Sequence, residues 1–168
     1  MTEQNAFLKV EFSPAWQFID DVRRFVTSFC ANARLDEGQA DAVAMSAHEL
    51  LQNAVRHSVD GKATVTLEVD SLQKVIVLSV ENIATPESVL ILTSMKKRIQ
   101  ETPDAKTLYM SLMRETVGKS GSGLGLGRIL FEGGMSLAID IQKDRVLVRA
   151  TCPLIPLVDE AKGPTLSA

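Results

Sequence analysis

Two stretches decide how this chain reads: HELLQNAVRHS (His48–Ser58) and, far downstream, SGSGLGLGRI (Ser120–Ile129). In the first, Leu50, Leu51, Ala54 and Val55 continue an apolar stripe that begins at Ala40, Val43 and Ala47, so the segment predicts a helix opening near Asp36. Glu49 and Asn53 lie four residues apart and share one side of that helix, with Cβ atoms roughly 5–6 Å apart, and His57 falls a further turn along. They sit beside the apolar stripe, at the rim of what the helix buries. A carboxylate there can orient or deprotonate an attacking hydroxyl or water. An amide oxygen suits magnesium, which takes hard oxygen donors and keeps several waters.

In the second stretch Gly121, Gly123, Gly125 and Gly127 alternate with Ser122, Leu124 and Leu126, and a short apolar helix follows at Leu126–Phe131. Glycines allow close approach and positive φ, so successive N–H groups can face phosphate oxygens, and the helix adds its positive N-terminal end. Two common glycine motifs fail on spacing. A Walker loop would need GxxxxGK[ST], and the GxGxxG fingerprint would put its third glycine on Leu126 or Arg128. A helical pattern precedes the loop, where a dinucleotide fold has a strand. The two stretches, in this order and with a strand hairpin between them, read as a site for a nucleotide and its magnesium ion.

Outward from these, residues 6–12 read as a first strand, and Ser13-Pro14 as an N-cap and first helical position. Phe18, Ile19, Val22, Phe25, Val26 and Phe29 then carry a helical stripe to about Ala33. Val65, Leu67 and Val69 alternate with polar residues, a turn follows at Asp70-Ser71, and Val75–Val80 is an apolar run: an antiparallel hairpin. Weaker helical patterns cover Val89–Gln100 and, after Thr102-Pro103, the segment of Leu108, Leu112, Met113 and Val117. Gly133-Gly134 ends the last helix, and Ser136–Gln142 and Val146–Cys152 form a closing hairpin. The fold class expected is α+β, a two-layer sandwich with helices on one face of a mixed, mostly antiparallel sheet. Residues 1–153 form one domain and residues 154–168, rich in Pro, Gly and small side chains, a frayed tail.

Bulk properties agree. The 168 residues are 45% hydrophobic and 23% charged, ordinary globular values for a chain able to bury a core. A net charge of −3 offers no basic field for nucleic acid. The short Lys96-Lys97-Arg98 run reads as a solvated helix face. Cys30 and Cys152 form no CxxC pair and read as buried free thiols. With neither a signal pattern nor an apolar run of membrane-spanning length, the expectation is a cytoplasmic protein without membrane contact.

The two stretches carry a resemblance. HELLQNAVRHS resembles the N-box of the GHKL family, the histidine-kinase-like ATPases with a Bergerat-type nucleotide fold, and SGSGLGLGRI resembles its second glycine box. The resemblance covers roughly Asp36–Cys152. Between the boxes the family carries an aspartate followed two residues later by glycine. Here LSVENIATPES puts Asn82 at the aspartate and Ala84 at the glycine. Asn82 can still accept the adenine amino proton, without charge, at a cost of about 1 kcal/mol or roughly fivefold in affinity. Ala84 is the harder change if that position needs positive φ. A one-residue slip would give Glu81 the acidic role but turn it to the other sheet face.

The resemblance implies Glu49 as general base, Asn53 as magnesium ligand and Asn82 as adenine contact. It also implies that Gly121–Gly127 wrap the phosphates of ATP or ADP, and that residues from about Thr85 to Ser120 form a mobile lid. His57 matches a position of packing or of a phosphate-side hydrogen bond, and His48 a structural one. No histidine stands outside the N-box helix, which argues against a self-phosphorylating histidine kinase. The chain instead looks like the stand-alone bacterial anti-sigma-factor-type serine kinases of partner-switching systems, which phosphorylate a small STAS-type antagonist and bind a sigma factor or another regulator. A homodimer is an assembly the resemblance allows. Two function classes follow: an ATP- and magnesium-dependent serine kinase, or a non-catalytic ATP- or ADP-responsive module that sequesters a partner.

Overall fold

In a computed structural model, residues 5–102, 104–116 and 123–155 are described. Along the chain come β1 (Ala6–Phe12), α1 (Trp16–Asn32), α2 (Glu37–His57), β2 (Ser58–Asp70) and β3 (Val75–Ala84). Then follow α3 (Pro86–Glu101), α4 (Ala105–Thr116), α5 (Leu124–Phe131), β4 (Ser136–Gln142) and β5 (Arg145–Pro153). The five strands lie in the order β1-β2-β3-β5-β4. Each pairing is antiparallel, so the parallel component allowed for in a mixed sheet is absent among the described residues.

Strict alternation decides which sheet face is covered. On the central strand β3, Ile76, Leu78, Val80, Asn82 and Ala84 are buried, while the residues between them are half-exposed. Ala63, Val65, Leu67 and Val69 of β2 and Val146, Val148, Ala150 and Cys152 of β5 join the same inward face. A period of two on all three strands is what a sheet covered on one side requires. The helices lie over that face. α2 runs above β3 and β2, with α1 on one flank and α5 on the other; α4 packs outside α5, and α3 rests on β4. Val43, Ala47, Leu50, Leu51 and Ala54 of α2 are all but inaccessible, which makes α2 the keel of the core.

Local chemistry sets the helix starts. Asp36 caps α2, its carboxylate accepting from the N–H groups of Gly38 and Gln39. Thr85 caps α3 through Ser88 N–H, with Pro86 in the first turn, so α3 opens three residues before the expected Val89. The expectation at Ser13-Pro14 needs correction. α1 begins at Trp16, and its flanking Ala15 is extended (φ −140°, ψ 145°) with no side-chain cap. Residues 13–15 are used to carry the chain from the sheet onto the helix layer. Trp16 then meets the Arg56 guanidinium, 5.6 Å from its ring centre, which fixes the helix start from outside.

Cys30 and Cys152 are buried and free, and burial pushes the Cys30 thiol up to about 11. At the far end, buried Gln39 donates to Pro153 O and accepts from Ile155 N–H. Leu154 N–H bonds Lys74 O at 2.8 Å, so residues 154 and 155 belong to the ordered body. The remainder of the expected tail lies outside the described residues.

Candidate functional site

The site is built from one side of α2, the inward face of β3 and the start of α5. Asn82 lies on the central strand between Ala63 of β2 and Val146 of β5, turned towards the helices and 9% exposed. Above it are Asn53 and His57, and together with Leu50, Ala54, Val80, Leu92, Val146 and Val148 they line a cavity of about 20 Å³. Its walls are mostly aliphatic with two amides and an imidazole, a composition that suits a flat, partly polar ring. Its size admits about one water. Asn82 donates weakly, at 3.3 Å, to Ile83 O. Its amide oxygen is left for a ligand's donor.

Ala84 and Glu81 stand where the strand pairing of β3 puts them. Ala84 is the last residue of β3, paired with Ser58 and donating to Asp144 O at 2.8 Å. The three non-glycine residues with positive φ among those described are Arg34, Lys74 and Lys143, so Ala84 carries no such strain. Glu81 points to the open face and pairs with Arg145 at 3.2 Å, which removes the one-residue slip.

His57 sits on the cavity wall, eight residues or about 12 Å along α2 from Glu49. Its Nδ1 meets Ser88 Oγ at 2.9 Å, and Thr85 Oγ1 donates to the same Ser88 oxygen at 2.8 Å. This chain ties the end of α2 to the start of α3. Burial, with Arg56 beside it, holds the imidazole below its usual pKa, against a weaker pull from Glu87. His48 faces Gln52 at 2.9 Å, and its Nδ1 is buried without a partner among the described residues.

Glu49 occupies the other end. Its side chain is 12% exposed and its Oε1 accepts from Arg128 Nη1 at 2.6 Å. Glu49 Oε2 lies against the backbone of Gly125, where any Cβ would overlap it. Gly125 is therefore a glycine because a carboxylate from another helix occupies the place of its side chain. Gly123 flanks α5 with φ +102°, a conformation only glycine adopts freely. At Gly127 a Cβ would meet Leu112 Cδ1 at 2.9 Å, so that glycine admits α4. The alternating glycines downstream of Ser122 thus have packing reasons of their own. The N–H groups of Leu124, Gly125 and Leu126 are in the first turn of α5, where helices leave them without intrahelical partners. Gly121 and Ser122 lie outside the described residues.

The expected lid forms two docked helices, with Met95 of α3 and Leu108 and Leu112 of α4 buried; residues 117–120 are outside the description. Asn53, whose amide oxygen would be the donor to magnesium, lines the cavity one turn along α2 from Glu49. No group of three or more His, Cys, Asp or Glu able to hold a metal occurs among the described residues. A lone amide oxygen fits an ion that keeps its waters and is bound largely through a nucleotide's phosphates. Sequence reasoning missed Arg128. Its signal was a single charge in an otherwise apolar segment, LGLGRILF.

A profile of the histidine kinase-like ATPase domain matches residues 12–133. Among curated proteins none matches. Of solved structures, the SiaB–SiaC complex from Pseudomonas aeruginosa is similar at 17% identity and TM-score 0.60, covering 88% of this chain and 89% of that one. The RsbU and RsbW domains of Rv1364c from Mycobacterium tuberculosis are similar at 12% identity and TM-score 0.57, covering 89% of this chain. The chain spans about a third (32%) of that second protein. No helix among the described residues is long and apolar enough to cross a membrane.

Proposed function

Because the chain belongs to the histidine kinase-like ATPase family, we propose that it is an ATP- and magnesium-dependent serine protein kinase of a partner-switching regulatory system. Its substrate would be a small STAS-type antagonist protein, with a sigma factor or another regulator as a further partner. The observation that carries the reading is the line Asn82–Asn53–Glu49. It runs from an aliphatic cavity at one end of α2 to a carboxylate against the first turn of α5 at the other. Adenine fits the cavity end once opened, Asn82 accepting from its amino group. Asn53 would hold magnesium through its amide oxygen, and the ion would screen the phosphates' charge. The N–H groups at the start of α5 face the phosphates. The serine Oγ joins the terminal phosphorus as the bond to the bridging oxygen of ADP breaks, and the serine proton passes to Glu49. Catalysis of this kind is mostly positioning and electrostatics.

One observation favours the second class, a nucleotide-responsive binding module. Arg128 already engages Glu49, so the carboxylate is held in an ion pair before any substrate arrives. Transfer of labelled phosphate from ATP to a small STAS-type protein separates the two. Glu49→Gln is expected to abolish transfer with ATP affinity within about twofold. Transfer by the variant at the parent rate would remove Glu49 from the mechanism. Nucleotide-dependent capture of the partner without transfer would support the binding module.

A further inference from the structure

We propose that Arg128 is the positioning residue of Glu49, and that through it the docking of α4 reaches the reactive carboxylate. The proposal rests on the phosphotransfer reading above. Gly125 and Arg128 lie three residues apart on the same face of α5, the face turned to α2. Glu49 fits between them: one carboxylate oxygen lies on the Gly125 backbone, and the other is held by Arg128 Nη1 at 2.6 Å. A glutamate loses substantial rotamer freedom when fixed, and here two contacts from one helix turn fix it.

Arg128 is held in turn. Its Nε donates to Glu132 Oε2 at 3.0 Å, and Glu132 Oε1 accepts from the Tyr109 hydroxyl at 2.6 Å. Tyr109 belongs to α4, and its ring also meets Phe131 at 5.4 Å between centres. The guanidinium thus spends two edges in two directions, which fixes its plane; a lysine's single ammonium would not. The chain Tyr109–Glu132–Arg128–Glu49 crosses three helices and ends on the carboxylate. A plain surface staple would need only Arg128 and Glu132, four residues apart on α5. It would not reach a side chain 12% exposed on another helix.

Single-turnover hydrolysis of magnesium ATP by the whole chain, with water as acceptor, tests this alongside ATP affinity by calorimetry. Arg128→Met is expected to slow turnover at least about tenfold with ATP affinity nearly unchanged, the mark of a misplaced group. Arg128→Lys restores part of the rate. On a Glu49→Gln background, whose residual hydrolysis is read over long incubations, Arg128→Met has no further effect, because the residue it positions is gone. Tyr109→Phe, a milder change at the exposed end of the chain, lowers turnover in the same direction without a change in affinity. A parent rate in Arg128→Met, or an equal loss on the Glu49→Gln background, overturns the proposal. Bound ATP that the unaltered chain never hydrolyses or transfers overturns the kinase reading, and the positioning role falls with it.

Discussion

Asn82 shows how much a single residue constrains the site. It is buried on the central strand beneath α2, with an uncharged amide where a carboxylate would give a charge-assisted bond. Asn82→Asp should therefore bind ATP about fivefold more tightly, through a charge-assisted bond to the base. The same change should lower stability without nucleotide, because a buried carboxylate then lacks a partner. Calorimetric affinity and a melting curve check both halves; unchanged affinity would take Asn82 away from the base. Asn53 and Asn82, both named from sequence alone, line one cavity. The glycines were legible only in part. Their alternation read as a phosphate cradle, yet Gly125 is small to admit Glu49 and Gly127 to admit α4. Contacts between residues 76 apart, or 15, leave no spacing to read.

At the scale of elements, the strands and α1 follow from period, and α2 from period and its Asp36 cap. The apolar alternation of β2, β3 and β5 is the burial pattern itself. Where sequence reasoning slipped, two signals of the same kind competed. Ser13-Pro14 looked like a helix start and is a linker, whereas Thr85-Pro86, of the same chemistry, caps α3. What separates them is tertiary: Thr85 also holds Ser88, which meets His57 of α2. That tie has a pH dependence. The folded pKa of His57 is lowered, so its contribution is fully present above the ordinary value of 6.5. As pH falls below 6.5 the unfolded chain takes up the proton first, and stability is lost until the folded pKa is passed. Urea midpoints should accordingly drop between pH 7.5 and pH 5, and drop less in His57→Asn, which keeps a nitrogen near Ser88. An equal drop in both would assign the acid sensitivity to other groups.

For the whole molecule, the architecture divides labour between the sheet's two faces. The covered face holds the core and the polar residues Asn82, Asn53 and Glu49. The open face carries Lys9, Glu11, Thr64, Thr66, Glu81 and Arg145, with ion pairs between Lys9 and Glu11 and between Glu81 and Arg145. The cavity adds a feature that no sequence pattern contains: at about 20 Å³ it admits one water, less than a base occupies. Binding that is confined to the folded state must then appear as stability. At 100 times Kd, magnesium ATP should add about 2.7 kcal/mol, which in a chain of this size raises Tm by about 5–10 °C. The melting temperature of the unaltered chain and of Asn53→Ala, each with and without millimolar magnesium ATP, is the most direct measurement. The account predicts a rise in the first and little or none in the second. An unaltered Tm in the parent chain, or the same rise in both, would contradict a nucleotide held along α2.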